Sequence, residues 1–216
     1  MSQDSRLQKA VLDELAWEPS ISAGHVGVST EDGIVTLMGH VGTFAEKSAA
    51  EAAARRVKGV KGVVEEIKVR LVGDVRITDD EIARAAADRV AADVYVPYGS
   101  VKVTVEERWI TLDGEVTWDY QRKSAEQCVS RLPGIVGITN LITLKPMVDI
   151  SNISDDITHA LHRSWFFDPQ TINVTAEGGN VRLTGTVQSP EERATAAATA
   201  WSAPGVTDVR NELTIA

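Results

Sequence analysis

The side chains that could do chemistry are few and scattered. His159 and His162 stand at i and i+3 in a helical pattern, one turn after Asp155 and Asp156, a spacing that metal ligands can use. No cysteine is near them, and Trp165 and Phe166 follow directly, so the ligand set is incomplete and ordinary helix-end histidines are expected. His25 and His40 stand isolated in the sequence. Cys128 is the only cysteine, so no intrachain disulfide can form. It lies in the helical stretch 121–132 with no histidine or other activating group close by, and reads as a small apolar residue rather than a nucleophile. The chain has no Gly-x-Ser-x-Gly, Walker loop, His-Glu-x-x-His or paired-cysteine motif. The expectation is therefore no enzyme, no cofactor and no metal.

Charge gives a different kind of candidate. The 216 residues include 22 basic and 31 acidic side chains, a net charge of −9. That balance, with a sequence pI of about 5.0, argues against a nucleic-acid binder, which needs a basic face to displace counterions. With aromatic residues at 5%, no base-stacking platform is expected. One basic cluster stands out: Arg55, Arg56, Lys58, Lys61, Lys68 and Arg70. Such residues beside an anionic bilayer each contribute about 1 kcal/mol, lost as salt screens them. Glu65 and Glu66 partly neutralise the cluster, and basic residues also suit a solvated helix end.

The elements that must hold these residues are written three times. Val35-Thr-Leu-Met-Gly-His-Val41, Ile110-Thr-Leu-Asp-Gly-Glu-Val116 and Val181-Arg-Leu-Thr-Gly-Thr-Val187 match one another. Their glycines, Gly39, Gly114 and Gly185, are separated by 75 and 71 residues. A second glycine follows each after 20 residues: Gly59, Gly134 and Gly205. Two anchors keeping one spacing through three copies make these six the candidate structural glycines. Lys47, Arg122 and Arg193 share one offset, eight residues past the strand glycine; each either contacts an anion or pairs with nearby acids.

Periodicity assigns the elements. Each copy opens with a helix marked by Leu7, Val11 and Leu15, by Ile82, Ala86 and Val90, or by Ile157, Leu161 and Trp165. Thr78 with Glu81 forms a capping-box pattern, and Ser154 before two aspartates is the expected N-cap of the third copy. Two alternating strands follow, joined by Glu31-Asp-Gly33 in the first copy and Gly178-Gly-Asn180 in the third. The middle copy has Glu106-Glu-Arg108 there, without glycine, so a different turn geometry is expected. A second helix starts at Thr43-x-x-Glu46 or Ser189-Pro-Glu-Glu192, and more weakly at Trp118 and Gln121. The later glycines are expected to end it as left-handed C-caps. The last strand is expected over Val63–Val69, Val136–Ile142 and Val206–Ile215.

The fold class is thus α+β: three tandem α-β-β-α-β units, each a three-stranded mixed sheet with two helices on one face. The expected domains are 1–73, 74–149 and 150–216. They carry 9 basic and 10 acidic, 9 and 13, and 4 and 8 side chains, so the first copy is the least acidic. Val75, Ile77, Met147 and Ile150 in the connections are expected to bury against a neighbouring copy.

The apolar-Thr-Leu-x-Gly-x-Val strand, with its Gly-Val or Gly-Ile after the second helix, resembles the BON domain, the bacterial osmotic-stress and nodulation module. The resemblance covers nearly the whole chain. It implies a non-enzymatic module associated with phospholipid surfaces, envelope components or osmotic stress. Partners implied are an anionic phospholipid surface or a membrane-associated protein. A potassium-binding sensor and a chaperone-like binder of unfolded clients are the other readings. The first 20 residues lack a basic n-region, an apolar core and a cleavage site, and no apolar run nears the roughly 18–20 residues of a bilayer span. A cytoplasmic location without a transmembrane segment is the expectation.

Overall fold

The computed structural model describes residues 3–70, 77–146, 152–164 and 171–215. In the first copy, helix α1 (Gln3–Trp17) leads through a 3-10 turn to strands β1 (Val26–Glu31) and β2 (Ile34–Val41). Helix α2 (Phe44–Arg56) and strand β3 (Gly62–Val69) complete it. The sheet order is β1-β2-β3, with β1 antiparallel and β3 parallel to the central β2. The parallel pair follows from the helical crossover, which carries the chain back to the end of the sheet where β2 began.

Alternation along β2 decides which face is covered. Val35, Leu37 and Val41 are buried, whereas Ile34 and Met38 are exposed. Leu7, Val11 and Leu15 of α1 and Ala50, Ala53 and Ala54 of α2 close the same core. The alanines let α2 lie close to the sheet, and each fully buried Val, Leu or Ile side chain contributes about 1.5–3 kcal/mol.

The third copy repeats this plan with α5 (Ile153–His162), β8 (Ile172–Glu177), β9 (Asn180–Val187), α6 (Pro190–Trp201) and β10 (Asp208–Ile215). Its order is β10-β9-β8, again antiparallel on one side of the centre and parallel on the other. Ile157, Leu161, Val181, Leu183, Ala196 and Ala200 stand where their counterparts stand in the first core.

The middle copy comprises α3 (Asp79–Ala92), β4 (Val101–Glu106), β5 (Trp109–Val116), α4 (Asp119–Ser130), β6 (Gly137–Asn140) and β7 (Thr143–Leu144). Its sheet runs β4-β5-β6, with β7 also paired to β5. The expected closing strand is therefore broken at Leu141 and Ile142, although Leu141 N–H still donates to the Leu112 carbonyl at 2.8 Å. Compactness divides the chain into two units, 1–88 with 103–111 and 128–139, and 89–102 with 112–127 and 140–216.

The strand glycines share one geometry. Gly39, Gly114 and Gly185 have φ of +118°, +148° and +124°. A Cβ at these positions would lie well inside 3.0 Å of the His25, Ser100 and Thr171 carbonyl oxygens respectively. No side chain fits, and the backbone sits where L-residues are strained.

Four local expectations change. The middle hairpin turn keeps the left-handed geometry of the first: φ is +51° and +86° at Asp32 and Gly33, and +50° and +65° at Glu107 and Arg108. The Asp79 carboxylate supplies what glycine does not, accepting from the N–H groups of Glu107 at 2.8 Å and Arg108 at 2.9 Å. The N-cap position of α5 is Asn152 (φ +108°); Ser154 lies inside the helix, where its carbonyl accepts from the Thr158 hydroxyl. The later glycines lie beyond the helix ends, in turns. Gly59 (φ +96°) precedes the Val60 N–H that closes onto the Val57 carbonyl, and Gly205 follows Pro204 in the turn closed by Val206 and Ala203. Proline and glycine at the two central places are the type II turn signature. Finally, Ile77 is half-buried and lies against Gly134 of its own copy; Val75, Met147 and Ile150 lie outside the described residues.

Candidate anion-binding corner

The six basic residues of the cluster in the first copy do not form one patch. Arg55 is paired with Glu51 at 2.6 Å, one helical turn away. Arg56 bridges Glu14 at 3.0 Å and Glu18 at 3.2 Å. The hydrogen bond to Glu14 does most to raise the Arg56 pKa; burial opposes it, and the bond to Glu18 adds to the rise. Lys58 and Lys61 sit in the turn between α2 and β3, while Lys68 and Arg70 lie at the far end of β3. Seven residues of strand separate Lys61 from Lys68 by about 23 Å.

What the fold does bring together is Lys58, Lys61 and Arg6. The three line an open cleft of about 480 Å³ with Gln3, Asp4, Leu7, Asp32 and the glycines of both turns. Among the described residues none of the three cations makes an ion pair. The corner forms because the hairpin turn and the α2–β3 turn adjoin, with Lys61 N–H donating to the Gly33 carbonyl at 2.8 Å. In the middle copy the same corner is filled: a Cβ at Gly134 would meet Ile77 Cδ1 at 3.0 Å. At Gly59 it would meet only Leu7 Cδ1, at 3.6 Å.

Arg6 carries no motif of its own. Its signal is a place on α1 next to Leu7, whose period points that face at the turn end of the sheet.

The three same-offset cations take different partners. Lys47 Nζ pairs with Glu65 at 2.7 Å. Arg122 pairs with the buried Asp119 and, within the second unit, places its guanidinium 4.7 Å from the Trp201 ring centre. Arg193 donates to the Asn211 carbonyl at 3.2 Å.

A structural device not read from the sequence accompanies them. Six residues after each turn glycine stands Glu65, Asn140 or Asn211. Each accepts a hydrogen bond from the N–H two residues on, that of Ile67, Ile142 or Leu213. The two asparagines also donate to the carbonyls of Arg122 and Arg193, which ties the second helix to the closing strand.

The start of α2, at the other end of that helix from the corner, is firmly built. Glu46 N–H donates to Thr43 Oγ1, and the Glu46 carboxylate accepts from Ser22 N–H at 2.6 Å and Gly42 N–H at 2.9 Å. Burial pushes the Glu46 pKa up, but the hydrogen bonds from Ser22, Gly42 and Thr43 together hold it below the usual carboxylate value. Gln121 does the same work in the middle copy, accepting from Thr117 and Trp118 N–H.

Cys128 is half-buried. No helix among the described residues is long and apolar enough to cross a membrane.

Three α-β-β-α-β units of this geometry define a tandem-repeat BON-type chain. The BON domain family model matches residues 3–70, 78–146 and 149–216, and the chain belongs to that family. A relative, osmotically-inducible protein Y of Escherichia coli (strain K12), is 27% identical over 151 residues, which cover 66% of this chain and 73% of that protein. Among solved structures, CdsD, a structural protein of the type III secretion system of Chlamydia trachomatis, aligns at 16% identity and a TM-score of 0.27, covering 98% of this chain and 93% of that one. The PrgH periplasmic domain aligns at 11% identity and a TM-score of 0.24, covering 95% and 99%.

The expected cytoplasmic location is corrected by the sequence relative, a periplasmic protein, which points to the envelope. The expectation rested on the residue types of the first 20 positions alone.

Proposed function

We propose that the chain is a non-catalytic envelope adaptor whose first copy binds anionic phospholipid headgroups through Arg6, Lys58 and Lys61. The carrying observation is the open corner, where three cations that make no ion pair among the described residues line one cleft with two carboxylates, Asp4 and Asp32. The family match and the osmotically-inducible relative support a role in osmotic or envelope stress. The domains act as three tandem BON units over 1–73, 74–149 and 150–216. Arg55 and Arg56, held by Glu51, Glu14 and Glu18, contribute less than the corner residues.

Flotation of the full chain with vesicles containing phosphatidylglycerol tests this. The expected result is co-flotation at low salt that declines as salt rises, because exposed charge pairs are screened. Lys58→Glu/Lys61→Glu abolishes it, and Lys68→Glu/Arg70→Glu leaves most of it. Absence of co-flotation by the unaltered chain at low salt contradicts the reading.

A further inference from the structure

The two histidines that stand apart in sequence meet in the fold. Val26 pairs with Gly39 across the β1–β2 hairpin, so the next rung outward sets His25 opposite His40. Their rings lie with centroids 4.8 Å apart and planes tilted by 43°. Two imidazoles sharing one metal ion each place a nitrogen about 2.0–2.1 Å from it. The ring centre is about 1.1 Å further out, so bond angles of about 90–110° separate the centroids by about 4.5–5.2 Å. The observed spacing falls inside that window.

We propose that His25 and His40 form a two-imidazole surface site for a borderline divalent transition-metal ion, Cu²⁺ foremost and Zn²⁺ more weakly. Imidazole nitrogen suits these ions, whereas Ca²⁺ and Mg²⁺ seek oxygen. Among the described residues no group of three or more His, Cys, Asp or Glu side chains could hold an ion. The pair therefore supplies two ligands and leaves the remaining positions to water.

The fold itself does not require histidine at this rung. Ser100 and Glu115 occupy the corresponding places in the middle copy, and Thr171 and Thr186 in the third, where Glu115 and Thr186 N–H donate to the Ser100 and Thr171 carbonyls. Exposed Glu66, paired with Met38, shares the open sheet face, and the charged neighbour paired with His40 itself from β3 is Lys68. It is exposed, and its long stem lets the ammonium turn to water. The site lies at the opposite end of the hairpin from the Asp32–Gly33 turn, so it is independent of the anion corner.

Calorimetric titration of the full chain with Cu²⁺ at neutral pH, in a non-chelating buffer, tests the proposal. One ion per chain is expected. His25→Gln and His40→Gln each weaken binding by about tenfold or more, as even loss of a residue supporting a ligand costs about 10–100-fold. The double variant His159→Gln/His162→Gln binds as the unaltered chain does. The paramagnetic resonance spectrum of the Cu²⁺ form should show coupling to two imidazole nitrogens, reduced to one in either single variant. Both single variants are exposed-face changes whose folding is verified by circular dichroism. Absence of saturable Cu²⁺ binding, or binding that both single variants retain, overturns the proposal.

Discussion

The first and middle hairpins solve the same backbone problem with different chemistry. Both turns place two consecutive residues at positive φ, but the first uses Asp32-Gly33 and the middle uses Glu107-Arg108. Non-glycine residues at positive φ are uncommon, and here the strain is offset by the Asp79 carboxylate, which accepts from both turn N–H groups. The strand glycines show the contrary case. No chemistry replaces them, because a neighbouring carbonyl occupies the space that a side chain would need in every copy. The repeat therefore fixes the backbone path, and local residues vary wherever another interaction can hold that path.

The largest expected effect tests the irreplaceable positions. Gly39→Ala, Gly114→Ala and Gly185→Ala each combine a backbone clash with a disfavoured φ, and should destabilise their copy by about 3 kcal/mol or more. Urea unfolding followed by amide exchange in each copy measures this. A loss below 1 kcal/mol at any of the three would break the equivalence of the copies.

The next effect sharpens the turn comparison. Asp79→Ala leaves two turn N–H groups without their carboxylate and should cost about 1–2 kcal/mol. Adding Arg108→Gly should restore most of that, since glycine accepts positive φ without support. Asp4→Ala, the corresponding change beside a turn that already contains Gly33, should cost less than half as much. The same unfolding titration separates these outcomes.

The smallest effect concerns pH. Glu46 has a folded-state pKa below its ordinary value of 4.5. Its stabilising contribution is therefore fully present above that value and is lost as pH falls through the lower folded pKa. Solvent screening keeps the effect below about 1 kcal/mol. Glu46→Gln should flatten the acid limb of stability between about pH 5 and 3, measured by thermal unfolding. An unchanged acid limb would remove this carboxylate from the account.

The paired glycines and the apolar periods carried the architecture in the sequence, since both are local or evenly spaced signals. Long-range polar contacts were not legible. Asp79 reaches a turn 28 residues away, and its effect on Glu107 and Arg108 is invisible to turn propensity. Arg6 joins Lys58 and Lys61 only through the juxtaposition of α1 with two turns. The run of basic residues was visible as composition, but strand length splits it between two ends of the sheet. His25 and His40 looked isolated because their neighbourhood depends on hairpin register. Counting outward from the Val26–Gly39 rung is the signal that finds them.

The central claim is one backbone unit held by interchangeable local chemistry. Solution NMR of the full chain, reading φ from scalar couplings and chemical shifts, tests it most directly. Positive φ is predicted at Gly39, Gly114 and Gly185, and also at Glu107 and Arg108 despite their side chains. Glu107 and Arg108 in the right-handed region, or a strand glycine whose φ departs from the other two, would contradict it.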